Sequence, residues 1–154
     1  MTEEKGVREG GCRCGRVRFQ VSAPPLLTMA CHCKGCQRMT GGAFSLSDAI
    51  AGESFALIQG ETAIGGLRAV PEHHFCGWCM SWLFTRLPPE IGNFVNVRST
   101  MMDRPVEEPP FIEAWTSVKL PGIATGAVYS YDEFPPSEAY AGLAAEFAQR
   151  FSTR

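Results

Sequence analysis

The sequence has no excess of basic residues and no long apolar run. Its 154 residues include 14 Lys and Arg against 16 Asp and Glu, for a formal net charge of -2. Nucleic acid is therefore not an expected partner, because proteins that bind it carry a basic footprint. No apolar segment approaches the roughly 18 residues that a membrane span needs. We accordingly expect no association through a membrane-spanning segment.

The sequence also lacks an apolar stretch behind its polar first residues, Met1 to Lys5. A signal peptide would need such a stretch, so none is predicted. We therefore expect a cytoplasmic, reducing location. Clustered cysteines in such a compartment are more often metal ligands than disulfides.

Cysteine is absent from most of the chain and confined to three short clusters. The clusters are Cys12-x-Cys14, Cys31-x-Cys33-x-x-Cys36 and Cys76-x-x-Cys79. The total of seven is odd, which argues against a disulfide framework. Four thiolates can complete a tetrahedral zinc site, and three can hold a zinc whose fourth position stays open for chemistry. The count therefore predicts two Zn²⁺ per chain.

The pairing of the clusters decides which thiolates share a metal. Four-cysteine sites usually combine two pairs from distant segments, so the first and last clusters are natural partners. This predicts a four-cysteine group (Cys12, Cys14, Cys76 and Cys79) for a structural zinc and a three-cysteine group (Cys31, Cys33 and Cys36) for a second zinc. The rival partition joins part of the middle cluster to one pair and leaves one to three thiols over.

The three-cysteine group is interpreted as catalytic because its metal would keep an open position. Its alternatives are a second structural site, an iron–sulfur ligand set, or a site completed by another group. His32 lies between two of the cysteines and is expected to point away from the metal. His73 and His74 precede the last cluster and are expected to lie on a strand without coordinating.

Short alternating segments separated by Gly and Pro predict a mainly β protein, a sandwich or an open barrel, in one domain over residues 1–154. The predicted strands are 17–21, 26–30, 43–47, 55–58, 63–70, 73–76, 81–85, 94–98 and 111–118. One helix is predicted, at the C-terminus, with Ser137 as its cap. Its apolar stripe consists of Tyr140, Leu143, Phe147 and Phe151.

Three parts of the chain resemble the glutathione-dependent formaldehyde-activating enzyme family, also called the centromere-protein-V-like family. The first is GGCRCGRVRF at 10–19, and the second is CHCKGCQR at 31–38 with GGAF at 41–44. The third is FCGWCMSWLF at 75–84. They occur in the order that the family shows.

The resemblance implies a mainly β fold, a tent-like pair of small sheets, with a structural zinc on the four-cysteine group and a catalytic zinc on the three-cysteine group. It implies a carbon–sulfur lyase that joins formaldehyde and glutathione to S-hydroxymethylglutathione. The family often has Gly after the last cysteine, where this chain has Met80. That difference is expected to alter a turn and to leave the ligand set unchanged.

The leading hypothesis is a zinc enzyme of carbon–sulfur chemistry that acts on a small thiol such as glutathione. Arg38 is expected to pair with a substrate carboxylate, because its guanidinium suits bidentate pairing. Backbone N–H groups at Gly41 and Gly42 are expected to receive an anionic part of the substrate. The alternative hypothesis is a zinc-stabilised binding module without turnover.

Overall fold

The structure is a computed structural model that describes residues 6–68, 70–104 and 107–151. Its strands are β1 (Arg8–Gly11), β2 (Arg18–Val21), β3 (Leu27–Cys31), β4 (Ser45–Ala51), β5 (Phe55–Gln59), β6 (Thr62–Gly65), β7 (Glu72–Cys76), β8 (Trp82–Arg86), β9 (Phe94–Arg98), β10 (Ile112–Ala114) and β11 (Tyr129–Ser130). Its α-helices are α1 (Lys34–Thr40) and α2 (Tyr140–Phe151), and single 3-10 turns lie at Gly52–Ser54, Ser99–Met101, Thr116–Val118 and Ser137–Ala139. Within the described ranges, neither α-helix has the length and apolar character needed to cross a bilayer.

The chain divides into two compact units, of which the first comprises Met1–Pro25 and Asp48–Val106. In it, β2 pairs antiparallel with both β1 and β5, and β6 to β9 form an antiparallel ladder in chain order. The buried core of this unit consists of Cys12, Val17, Phe19, Val21, Ile50, Phe55, Cys76, Leu83, Phe84, Val95 and Val97. Two cysteines of the four-cysteine group therefore belong to the core itself.

Strand β2 shows how the sequence pattern produces this packing. Val17, Phe19 and Val21 are buried at alternate positions, because successive side chains of a strand point to opposite faces. Gly10 on β1 lies opposite Phe19 in the register. A Cβ at Gly10 would collide with the Phe19 ring and with the carbonyl oxygen of Met101. Only glycine lets β1 approach this closely.

The second unit comprises Leu26–Ser47 and Glu107–Arg154. Its strands pair in parallel, β3 with β10 and β10 with β11. Helix α2 buries Leu143 and Phe147, and the Phe147 ring meets the Phe111 ring edge-on at 5.5 Å between centroids. The predicted apolar stripe is thus buried at its centre, whereas Tyr140 at its start is 37 % exposed.

The prediction of a mainly β fold with a C-terminal helix is confirmed. Several local predictions were wrong. The predicted strand 63–70 ends at Gly65, and the predicted strand 43–47 is displaced to Ser45–Ala51. Ser137 is the first residue of a 3-10 turn, and the N-cap of that turn is Pro136. The last predicted strand, 111–118, stops at Ala114, because Trp115 takes a left-handed φ of 59° and a 3-10 turn follows. A single helix was expected, yet α1 forms within the middle cysteine cluster.

Candidate metal centres

The four-cysteine group lies entirely in the first unit, and its Sγ atoms are all within 4.8 Å of one another. The Sγ atom of Cys14 lies 3.5 Å from that of Cys12 and 3.8 Å from that of Cys76. Four sulfurs bound tetrahedrally at about 2.3 Å from a zinc ion would be about 3.8 Å apart. The spacing and the all-thiol donor set therefore fit zinc.

Two tight turns shape this group. In the first, the Gly15 N–H donates to the Cys12 carbonyl at 3.0 Å, with a left-handed φ of 77° at Gly15. The Val17 N–H then donates to Cys12 Sγ at 3.3 Å. In the second turn, the Met80 N–H donates to the Cys76 carbonyl at 3.0 Å. Each turn therefore directs two sulfurs toward one point.

Ser81 connects the two turns and favours ionisation of Cys79. Its hydroxyl oxygen accepts from the Arg13 N–H at 3.2 Å and lies 3.2 Å from Cys79 Sγ. Burial opposes ionisation of Cys79, but hydrogen bonds from the side chain and backbone of Ser81 outweigh it and lower its pKa to about 5. One member of the group is thus readily available as a thiolate, the form that binds metal.

Met80 takes a left-handed φ of 58° in the second turn. Such a conformation costs a residue with a Cβ about 1–2 kcal/mol, and glycine would avoid this cost. The greater freedom of glycine in the unfolded chain would cancel about 0.4–1 kcal/mol of that stabilisation. We expect Met80→Gly to raise the free energy of unfolding of the zinc-loaded protein by about 0.5–1 kcal/mol. Urea titration followed by circular dichroism measures this change.

Met80→Ala is the matched control for that substitution. The Met80 side chain is 60 % exposed, so its loss removes little packing. Alanine keeps the Cβ and hence the backbone strain, so we expect almost no gain from it. Equal stabilisation by alanine and glycine would show that the left-handed backbone is not the source of the effect.

The three-cysteine group lies entirely in the second unit, with its Sγ atoms within 4.8 Å of one another. Cys31 ends β3, Cys33 is the N-cap of α1, and Cys36 lies in the first turn of α1. The Cys36 N–H donates to Cys33 Sγ at 3.3 Å, and the Ser45 hydroxyl donates to Cys36 Sγ at 3.1 Å. Among the described residues, no fourth His, Cys, Asp or Glu joins the group. It therefore fits a zinc with an open coordination position.

The seven cysteines thus lie together in the same two groups that the sequence predicted, and their assignment as ligands of two metal ions stays a prediction. Cys31 is buried and Cys33 is partly exposed. The hydrogen bond with Cys36, and then burial, raise the pKa of Cys31. Burial likewise raises the pKa of Cys33. Three thiolates this close repel one another, so a bound cation is what would stabilise all three in the ionised form.

The histidines near the clusters have hydrogen-bonding partners outside the two cysteine groups. His32 is completely buried, and its Nε2 lies 2.9 Å from Oε2 of Glu113. Nδ1 of His73 lies 2.9 Å from the Thr85 hydroxyl, and Nδ1 of His74 lies 2.8 Å from the Thr62 hydroxyl. None of the three belongs to either cysteine group.

The residues predicted to contact substrate lie at the other end of α1. Arg38 is exposed in its last turn, Gly41 is its left-handed C-cap with a φ of 63°, and the Gly42 N–H donates to the Thr40 hydroxyl at 3.2 Å. At 1.5 Å per residue, Arg38 lies about 7.5 Å and Gly41 about 12 Å along the helix axis from Cys33. Their contact with an anionic substrate stays a prediction.

Sequence reasoning missed the residues that support the three-cysteine group. Helix α1 was missed because it has no apolar stripe and its N-cap acceptor is a sulfur atom. Gly41, directly after the last helical residue, is a recognised helix stop signal and could have indicated it. Tyr140 was assigned only to a packing stripe. Burial, and then the charge of Cys31, raise the pKa of the Tyr140 hydroxyl.

Comparison with known proteins gives one family and one fold. The model of the family described as "Glutathione-dependent formaldehyde-activating enzyme" matches residues 7–118, which include all seven cysteines. No curated protein matches the chain. Among solved structures, the chain is similar to the crystal structure of a Rhodobacter sphaeroides protein. The identity is 15 % and the TM-score 0.50, over 64 % of this chain and 91 % of that one. This similarity concerns the fold alone.

Proposed function

Because the chain belongs to the glutathione-dependent formaldehyde-activating enzyme family, we propose that it is a zinc-dependent enzyme of the carbon–sulfur lyase type that acts on a small thiol adduct. The reaction proposed is the joining of glutathione and formaldehyde to S-hydroxymethylglutathione. A bond forms between the thiol sulfur and the aldehyde carbon, and the thiol proton ends on the former carbonyl oxygen. The three-cysteine group carries this proposal, because three thiols that no fourth ligand joins among the described residues would leave a position for substrate.

In this proposal the two cysteine groups have separate roles. The four-cysteine group holds a structural zinc, and Cys31, Cys33 and Cys36 hold the second zinc. A free thiol has a pKa near 8.5, and zinc, when bound, would supply the positive charge that keeps a coordinated thiol deprotonated at neutral pH. The chain's own contribution is to hold the three ligands in place and to leave access beside the partly exposed Cys33.

Substrate orientation is assigned to the far end of α1. The exposed Arg38 guanidinium can pair with a carboxylate of glutathione in bidentate geometry. The axial distance of about 7.5 Å between Cys33 and Arg38 suits a molecule that carries its thiol and its carboxylates apart. A cytoplasmic location is part of the proposal, since thiol ligands remain reduced there.

The decisive experiment measures formaldehyde consumption by the zinc-loaded protein with glutathione. We expect a rate above the uncatalysed reaction that depends on both substrates, and Arg38→Gln should raise the KM for glutathione while leaving kcat close to its original value. Lys34→Gln, which removes a charge at the other end of α1, is the matched control. A rate equal to that without protein would refute the proposed activity.

Metal retention tests the alternative, a zinc-stabilised binding module. With millimolar glutathione present, we expect one of two zinc ions to become labile, because the thiol binds at the open position of the three-cysteine group and then competes with its cysteines for the metal. The zinc of the four-cysteine group should stay bound. Metal content after dialysis with and without glutathione gives the answer. Equal retention of both ions would favour the binding module.

A further inference from the structure

His32 is held in place by three hydrogen bonds within the second unit. Its ring Nε2 lies 2.9 Å from Glu113 Oε2, and its backbone N–H donates to the Ala114 carbonyl at 3.0 Å. Its own carbonyl accepts from Gln37 Nε2 at 2.7 Å. The first two bonds connect it to β10, and the third connects it to α1.

This fixed residue separates two metal ligands. In an extended chain, neighbours on either side of a residue point away from that residue's side chain. A His32 ring anchored on Glu113 therefore directs Cys31 and Cys33 together to the opposite side. Gln37 follows Cys36 in the sequence. Its bond to the His32 carbonyl therefore also ties α1, the helix that carries the third ligand, to His32.

The Glu113 carboxylate has several hydrogen-bond donors besides His32. It is buried, and its carboxylate accepts hydrogen bonds from Ser130 at 2.7 Å, Thr125 at 2.9 Å and Lys119 at 3.1 Å. These donors come from the chain that follows β10 and from β11. The acceptor for His32 therefore has a fixed orientation, set by contacts that do not depend on His32.

We propose that His32, anchored on Glu113, is a positioning residue for the metal of the three-cysteine group. It acts through the backbone between Cys31 and Cys33 and does not touch the metal. The pair thereby sets the affinity and the geometry of that site. The inference rests on the metal-binding part of the proposed function and is independent of the reaction catalysed there.

The test compares His32→Phe with His32→Gln by Co²⁺ titration of the full chain. Phenylalanine keeps a ring against Phe44, which lies 5.3 Å from the imidazole between centroids, but loses the donor to Glu113. The terminal amide of glutamine can still donate to that carboxylate. We expect His32→Phe to weaken Co²⁺ binding at the three-cysteine group about 10- to 100-fold, as loss of an outer partner of a metal site does. His32→Gln should recover most of that loss.

The four-cysteine group of the same molecule is the internal control. Its cobalt absorption bands are identified in the Cys33→Ser variant, which lacks one ligand of the other group. We expect these bands and their affinity to be unchanged in His32→Phe, and the bands of the three-cysteine group to shift because its ligand geometry changes. Unchanged affinity at the three-cysteine group would overturn the proposal. Equal weakening at both groups would also overturn it, because it would show that His32 stabilises the fold as a whole and not the three-cysteine group in particular.

Glu113→Gln provides a second variant that keeps the size of the anchor. Because the amide replaces a charged acceptor, we expect a weakening of about tenfold, confined to the three-cysteine group. Unchanged cobalt affinity in this variant would also contradict the role of the anchor. The titration uses metal alone, so a failure of the proposed lyase activity would leave its outcome unaffected.

Discussion

Replacing Cys14 with serine should unfold the protein. The substitution removes one of the four thiolates that we propose hold a structural zinc, and structural zinc contributes on the order of 10–16 kcal/mol of apparent binding free energy in small peptides. That exceeds the roughly 5–15 kcal/mol of net stability of a typical domain. Cys14 is exposed, so the loss of its side chain removes little packing and the effect reports on the metal. Circular dichroism and metal content, measured together, check the result.

Arg13→Ser is the matched control for Cys14→Ser. Arg13 is exposed in the same turn, and the hydrogen bond that it donates to Ser81 comes from its backbone, so serine keeps it. We expect this variant to retain both the fold and the zinc. A Cys14→Ser protein that lost its structural zinc and kept native circular dichroism would show that the four-cysteine group does not hold the fold.

Replacing Cys33 with serine should abolish turnover while leaving the fold intact. Serine is a favoured N-cap residue, and its hydroxyl can accept the bond from the Cys36 N–H that Cys33 Sγ accepts at 3.3 Å. In the proposed function, however, the metal of the three-cysteine group loses one of its three ligands. Because a catalytic metal supplies several kcal/mol of transition-state stabilisation, we expect kcat/KM to fall about a thousandfold or more, at 1.36 kcal/mol per tenfold.

Cys33→Ala separates the two roles of this residue. Alanine removes the ligand and the cap together, so activity should be lost to the same degree. The protein should also be less stable than Cys33→Ser by about 1 kcal/mol, the usual value of an N-cap. If Cys33→Ser lost both activity and fold, the three-cysteine group would have a structural role and the proposed division between the groups would be wrong.

The sequence was sufficient to predict what depends on local pattern and on residue chemistry. Alternation predicted the burial of Phe19 and Val21, and the cluster spacing predicted which thiols meet. Both succeed because strand periodicity and zinc coordination impose strict spacing on few residue types. The limits of the strands were less accurate, as Trp115 illustrates. Its left-handed φ turns the chain away from β10, and nothing in its residue type indicates this.

The contacts that surround the three-cysteine group could not be predicted, because they are tertiary contacts. Glu113 lies 81 positions from His32, and no motif connects the two. Helix α1 has seven residues with Gly35 among them, so it carries no apolar periodicity to reveal it. Short helices of this kind form because their surroundings and caps stabilise them, and only to a small extent because of intrinsic propensity.

The spacing of the four-cysteine group has a consequence for the nascent chain. Cys14 and Cys76 are 62 positions apart, and at about 5–20 residues per second the ribosome needs about 3–12 s to make that stretch. During this interval the first pair has no partners, and its thiols are open to oxidation or to capture by other metals. The three-cysteine group is complete within six residues. We therefore expect the three-cysteine group to bind metal first during synthesis. We expect Cys12 and Cys14 to be the thiols of the nascent chain that are most exposed to oxidation or to binding of another metal.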